Sequence, residues 1–415
     1  MAIVKPFKAV RATRDKVALV SAKSHEIYTP KMLDAKLAFN PYSFLHVINP
    51  GYKYHKQDVT GEQRFKLVHN RYLEFKENDV FKQDKIPAFY LYQKTTATNS
   101  FCGIISATSV EDYHQNIIKK HEGTLKEREL LFENYLKNTG FNAEPVLLTY
   151  PDNPIINKIV AKYQQKRAEY EFSTTDKDHH LLWVIDNQND IQQLIDAFKD
   201  IETLYIADGH HRSTSACLLA KNLAKKNPKH TGKEAYNFFM SYLLPESQLS
   251  IYEFNRFIKD LNGLTPEEFL IELDTFFRIE NRGQELYKPK EKHHFSMYLN
   301  GEFYALYLRK SRYNFKNALN KLDAQILYKT ILKPILGIED IRNASKILYS
   351  QDKSDSLELK TKVDTGEFKV SFGMLPTSIN EIKEIVDADM LMPPKTTYIE
   401  PKLRSALTIY EFDCQ

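Results

Sequence analysis

The chain has 415 residues, 42% hydrophobic and 27% charged. At roughly 100–200 residues per domain this implies two or three packed units, and it excludes wholesale disorder. Fifty-eight Lys and Arg against 54 Asp and Glu leave a net charge of +4, too small for the clustered basic footprint of a nucleic-acid binder.

Short apolar strands alternate with amphipathic helices, which predicts a mixed α/β fold with a mixed sheet. In chain order, the strand candidates are Ala88-Phe-Tyr-Leu-Tyr, Phe101-Cys-Gly-Ile-Ile-Ser-Ala, Pro145-Val-Leu-Leu-Thr-Tyr, Leu181-Leu-Trp-Val-Ile and Leu204-Tyr-Ile-Ala. Capping boxes at Ser109-Val-Glu-Asp112 and Thr124-Leu-Lys-Glu127 predict helix starts, and Gly140 is a left-handed stop for the second helix. Further on, Phe295–Leu299 and Phe303–Leu308 flank Asn300-Gly301, a strong hairpin signal. Leu322 to Leu336 has helical apolar spacing, and Phe368-Lys-Val-Ser-Phe alternates like a half-buried strand. The polar stretch 283–293 is the expected boundary, dividing the chain into 1–282 and a smaller α/β unit, 283–415.

Cys102, Cys217 and Cys414 are distant from one another and include no C-x-x-C, so neither a disulfide framework nor a zinc motif is expected. No apolar run approaches the length of a membrane span, and no signal-peptide core follows Met1. A cytoplasmic protein without membrane partners is the expectation. Glycine is scarce at 13, and neither G-x-G-x-x-G nor a Walker loop occurs. Any phosphate chemistry must therefore use another device.

One segment offers such a device. Leu204-Tyr-Ile-Ala-Asp-Gly-His-His-Arg-Ser-Thr-Ser reads as a strand entering a helix through Asp208-Gly209, with His210, His211 and Arg212 in the first helical turn. First-turn N–H groups have no intrahelical partner, and the helix dipole adds partial positive charge, so an anion is the natural ligand. Arg212 suits a bidentate clamp, Ser213 and Thr214 a donor role, and Asp208 a metal or a proton. The plain alternative is Asp208 as a helix cap with surface cations, but three such side chains crowd an end the dipole makes unfavourable for cations.

Ala207-Asp-Gly-His-His-Arg212 resembles the hallmark of the domain of unknown function 1015 family. The likeness extends through Val4-Lys-Pro-Phe7, Asn40-Pro-Tyr-Ser-Phe-Leu-His46, Ile117-Ile-Lys-Lys-His-Glu122, Tyr236-Asn-Phe-Phe239, Asn255-Arg256, Pro334-Ile-Leu-Gly-Ile-Glu339, Met392-Pro-Pro-Lys-Thr-Thr397 and Pro401-Lys-Leu-Arg404. More distantly, the Asp-Gly-His-His-Arg turn resembles the phosphate-cradling turn of the ParB/sulfiredoxin superfamily, which includes free-serine kinases. Glu253-Phe-Asn-Arg256 resembles the second phosphate and metal motif of that superfamily.

The resemblance implies a ParB/sulfiredoxin-like nucleotide-binding core and a nucleotide-dependent phosphotransferase acting on L-serine or O-phospho-L-serine, run in either direction. Asp208, His211, His121 and Glu122 are the candidate catalytic residues. Gly209, His210, Arg212, Ser213, Asn255, Arg256, Lys395 and Lys402 are the candidate nucleotide ligands. Asp208 and Asn255 would hold Mg²⁺, with ADP or ATP as the nucleotide and a homodimer compatible with the likeness. Two alternatives stand beside it, a ParB-type nucleotide switch without turnover and a metal-dependent phosphoserine phosphatase.

Departures sort the relatives. Sulfiredoxin chemistry needs a cysteine after the turn glycine, where this chain has His210. No helix-turn-helix reader accompanies the turn, which argues against the DNA-binding relatives. Ser24-His-Glu-Ile-Tyr28 replaces a Pro-Pro-Tyr-Asp-like stretch, leaving Glu26 or Tyr28 as substitutes. Asp176, Asp178, His179 and His180 read as plain surface, as do His293-His294, and Trp183 reads as core.

Overall fold

A computed structural model describes residues 1–54, 59–341, 345–351 and 357–412; Cys414 lies outside them. Its largest feature is a nine-stranded mixed sheet: β1 (Val4–Lys5), β2 (Phe89–Thr95), β3 (Ser100–Ser109), β4 (Ile118–Lys119), β5 (Val146–Tyr150), β6 (Tyr170–Ser173), β7 (His179–Ile185), β8 (Leu204–Asp208) and β9 (Phe238–Pro245). The spatial order is β4-β8-β5-β9-β3-β2-β7-β6, with β1 antiparallel to β3. The β4–β8 and β5–β9 pairs are parallel and the remaining neighbours antiparallel. Strands β5 and β9 are buried at every residue, as expected for near-continuous apolar runs between two layers.

Helices α1 (Gly61–Glu77), α2 (Lys126–Thr139), α3 (Pro154–Gln164), α4 (Gln188–Lys199) and α5 (His210–Lys226) belong to the same unit. Helix α2 stops at Gly140, whose φ of 71° is the left-handed closure the sequence predicts. Its start differs from expectation. The N-cap is Leu125, because the Thr124 hydroxyl turns to the Glu129 carboxylate instead of capping the backbone. At the other predicted box, Ser109 does cap, accepting from the Glu111 N–H over the short helix Val110–His114.

The second unit spans Ser250–Glu400, and the first comprises Met1–Leu249 with Pro401–Gln415. The structure thus divides at 249/250 and 400/401, and the 283–293 stretch is an internal connection of the second unit. That unit is built on a six-stranded antiparallel sheet of β10 (Phe254–Ile258), β11 (Phe277–Gly283), β12 (His294–Leu299), β13 (Glu302–Leu308), β14 (Ile347–Gln351) and β15 (Val370–Met374), ordered β11-β13-β12-β15-β10-β14. The β12–β13 hairpin turns at Asn300 and Gly301, both at positive φ, as predicted. The helical pattern from Leu322 forms a short helix, Asp323–Leu327, that widens into a π-turn over Tyr328–Leu332. Phe257, Tyr298, Phe303, Leu359 and Phe368 form one core of this unit. Among the described residues no helix is long and apolar enough to cross a membrane.

Candidate functional site

Parallel strands β4 and β8 carry their C-terminal ends to the same edge of the sheet. Beyond β4 the chain delivers His121 and Glu122; beyond β8 it makes the turn into α5. Gly209 sits at φ 100°, ψ 30° as the N-cap, a conformation that favours glycine, and no side chain caps the helix. The first-turn N–H groups of α5 have no intrahelical acceptor.

Charged groups converge on this end. Arg212 Nη2 donates to Asp208 Oδ2 at 2.7 Å, and Nη1 donates to the Pro145 carbonyl at 2.8 Å, with Glu144 Oε2 at 3.3 Å. The Lys402 ammonium bonds the other Asp208 oxygen, Oδ1. Burial alone pushes the Asp208 carboxyl up, but Lys402 and Arg212 together hold it below the usual carboxylate range. Ser405 Oγ donates to Glu144, tying the C-terminal strip to the same cluster.

Beside the charges lie two buried histidines. His121 and His210 meet edge to face with ring centroids 4.5 Å apart, and they are 2% and 7% exposed. Burial lowers both, and His121 further disfavours a proton on His210, so the pair is neutral near pH 7. A backbone hydrogen bond with Ile206 holds the His121 ring, whereas His210 Nε2 is buried without a hydrogen-bond partner. His211 is half-buried one residue on, and Glu122 Oε1 stands 4.0 Å from His121 Nε2.

Asp208, Gly209, His210, His211, Arg212, His121, Glu122 and Lys402 are therefore brought together. Ser213 belongs to the same helix, but its hydroxyl is not free for a ligand. It is fully buried and donates to the His210 carbonyl at 3.0 Å, which corrects the expected donor role. Thr214 bonds the same carbonyl and the Tyr113 hydroxyl.

Asn255, Arg256 and Lys395 belong to the second unit, where Arg256 and Lys395 are linked. Arg256, 3% exposed, donates to Glu253 Oε1 at 2.7 Å, to the Phe254 carbonyl at 2.5 Å and to the Lys395 carbonyl at 3.4 Å. Burial pushes the Glu253 carboxyl up to about 7 against the pull of Arg256. Lys395 Nζ lies 5.6 Å from the Phe254 ring centre. Asn255 is buried, with its amide nitrogen unpartnered.

Of the expected Mg²⁺ pair, Asp208 has each of its oxygens facing a cation, Arg212 or Lys402, and Asn255 belongs to the second unit. Among the described residues no group of three or more His, Cys, Asp or Glu is placed to hold a metal ion.

A family model described as "Protein of unknown function (DUF1015)" matches residues 4–325. The chain belongs to the DUF1015 family. No curated protein matches. Among solved structures, a free serine kinase mutant in complex with AMP aligns over 75% of this chain and 92% of its own, at 14% identity and a TM-score of 0.38. SbnI with a C-terminal truncation from Staphylococcus aureus aligns over 73% and 87%, at 14% identity and 0.37. A conserved hypothetical protein from Pyrococcus furiosus aligns over 77% and 98%, at 12% identity and 0.35. Likenesses of this size decide nothing about what this chain binds.

Several contributors went unread in the sequence of this DUF1015 protein. Glu144 and Pro145 precede an apolar strand and carry no motif, yet both hold Arg212. The acidic-histidine loop is not plain surface: His180 is fully buried and Asp178 pairs with Lys94 at 3.0 Å. His293, likewise taken as surface, donates its backbone N–H to Asp323 at 2.8 Å, and its ring Nδ1 lies 3.0 Å from the same carboxylate. Trp183 is core as expected, with its indole N–H on the Lys166 carbonyl. A surface groove of about 300 Å³ lined by Glu133, Lys137, Leu219 and Leu223 contains none of the candidate residues.

Proposed function

We propose that this chain is a nucleotide-dependent phosphotransferase acting on L-serine or O-phospho-L-serine, with the nucleotide phosphates seated on the turn between β8 and α5. The observation that supports it most is that turn. A left-handed glycine caps a 17-residue helix whose first amides have no intrahelical acceptor, and Arg212 and Lys402 flank that end. His210 Nε2, buried and unpartnered at the same helix end, adds a polar atom in need of a ligand.

In this reading an incoming phosphate takes over Arg212 and Lys402 from Asp208. Phosphoryl transfer asks mainly for positioning and for compensation of charge on the equatorial oxygens, which a guanidinium, an ammonium and a helix end supply. Asp208, once released, is a carboxylate able to receive the serine hydroxyl proton, with Glu122, His211 and the neutral His121 as further acceptors. Mg²⁺ belongs to this proposal only as a companion of the nucleotide phosphates, and no step is assigned to it.

The test is incubation of the full chain with O-phospho-L-serine, with and without ADP, in Mg²⁺ buffer. Serine released only when ADP is present supports phosphotransfer. Release without nucleotide would make the protein a phosphatase, and no release under either condition removes serine chemistry.

A further inference from the structure

In the first unit, β5 runs antiparallel to β8 with Leu147 opposite Asp208, so the residues just before β5 arrive beside the turn that opens α5. Three of them in a row hold other parts of the chain. The Ala143 carbonyl accepts the Ala406 N–H at 2.9 Å. Glu144 accepts from Ser405 Oγ on Oε1 at 3.2 Å, and its Oε2 stands 3.3 Å from Arg212 Nη1. The Pro145 carbonyl accepts Nη1 at 2.8 Å.

The guanidinium is thereby divided. Nη1 faces the 143–145 segment, and Nη2 faces Asp208 at 2.7 Å. Lys402 lies three residues before Ser405 in the same strip, and its ammonium reaches the other Asp208 oxygen. Glu144 therefore meets one cation directly and, through Ser405, holds the strip that carries the other. Glu144 and Arg212 are both half-buried, where an ion pair is screened less than on an open surface.

Two carboxylates that share one guanidinium compete for it. Without Glu144, Arg212 is free to close on Asp208 with two nitrogens in the bidentate manner that suits arginine, and a phosphate would have to break that pair. With Glu144 in place, Nη1 is held back and only the Nη2 contact has to be exchanged.

We propose that Glu144 is a positioning residue for the phosphate seat: it keeps Arg212 and Lys402 in place while an incoming phosphate takes them over from Asp208. This role rests on the phosphotransferase reading, in which phosphates sit on the first turn of α5. Glu144 acts through the two cations and not on the ligand, which its own negative charge repels.

Calorimetric titration of the full chain with ADP reads this role. Glu144→Ala should weaken ADP binding about tenfold, the value of one charge-assisted contact. Glu144→Gln, which keeps an acceptor of the same length for Ser405 and Nη1, should stay within about threefold of the wild type. In an Arg212→Ala background, Glu144→Ala should cost no more than about threefold, the part that runs through Ser405. A merely structural contribution would lower the affinity equally in both backgrounds.

Wild-type affinity in Glu144→Ala, or equal losses in the two backgrounds, would overturn the role. If Glu144→Ala does not fold, Glu144→Asp decides: it keeps the charge one methylene short and should lose about fivefold with Arg212 present and under about twofold without it. Wild-type affinity there overturns the role equally. Inorganic pyrophosphate is the second titrant. The same pattern with pyrophosphate but no binding of ADP would count against the nucleotide reading and leave the role of Glu144 standing, whereas failure of the wild type to bind either would overturn both.

Discussion

Replacing Gly209 with alanine probes the turn at its most constrained point. At φ 100° an alanine pays about 1–2 kcal/mol or somewhat more, because this angle lies beyond the left-handed minimum. The new Cβ would also stand 3.0–3.2 Å from Nε, Nη2 and Cζ of Arg212, too close by a few tenths of an ångström. The guanidinium must give way, weakening its bond to Asp208, and a charge-assisted hydrogen bond is worth about 1.5–3 kcal/mol. Together these predict a loss of about 2–4 kcal/mol. For a unit of this size that is roughly 5–15 °C in melting temperature, measurable by calorimetry. The clash and the strain separate in a double-mutant cycle: in an Arg212→Ala background, Gly209→Ala should lose only the strain. Equal losses in both backgrounds would refute the steric part, and an unchanged melting temperature in the wild-type background would refute all of it.

Three further outcomes follow from burial and charge. Glu253 ionises in the folded state near pH 7, above its ordinary value, so the folded chain holds a proton that the unfolded chain releases between about pH 4.5 and 7. Stability from this group falls as pH rises through that window, and urea titrations should show Glu253→Gln gaining on the wild type by a few kcal/mol, on the order of 3, from pH 4.5 to 7.5. His180 has the opposite sign. Burial takes its pKa down to about 3, so the unfolded state takes up the proton first as pH drops below 6.5. His180→Phe should flatten the acid loss of stability by about 1.4 kcal/mol per pH unit between pH 6 and 4, and an unchanged slope would contradict a buried neutral ring. Burial also raises the thiol of Cys102 to about 12 and that of Cys217 further, so peptide mass spectrometry should find both unalkylated in the native chain at pH 8 and alkylated after denaturation.

The sequence made the strands of the large sheet legible wherever burial on both faces produces an unbroken apolar run, as in Val146–Tyr150 and Leu204–Ala207. The turn at Gly209 was legible for a local reason: a glycine between an apolar strand and a helical pattern, followed by cations where a helix end disfavours them. Partners supplied across long stretches of chain were not. Lys402 meets Asp208 across 194 residues, and Glu144 reaches Arg212 from a loop without pattern.

Burial of polar residues misled in both directions. His180 is the second residue of its strand, beside a charged loop, and reads as surface, yet two aromatic rings enclose it. Arg256 reads as a phosphate ligand, yet it is closed in by Glu253 and two backbone carbonyls. Ser213 fails as a donor because a hydroxyl in a helix interior can satisfy itself on the preceding turn.

The claim on which the rest depends is that a nucleotide places its phosphates on the first turn of α5. Amide hydrogen exchange of the full chain, with and without ADP, reads those N–H groups directly. Slower exchange at residues 209–212 on ADP binding, lost in Arg212→Ala, is the predicted result. Binding of ADP that leaves these amides unchanged, or protects a different segment, would contradict it.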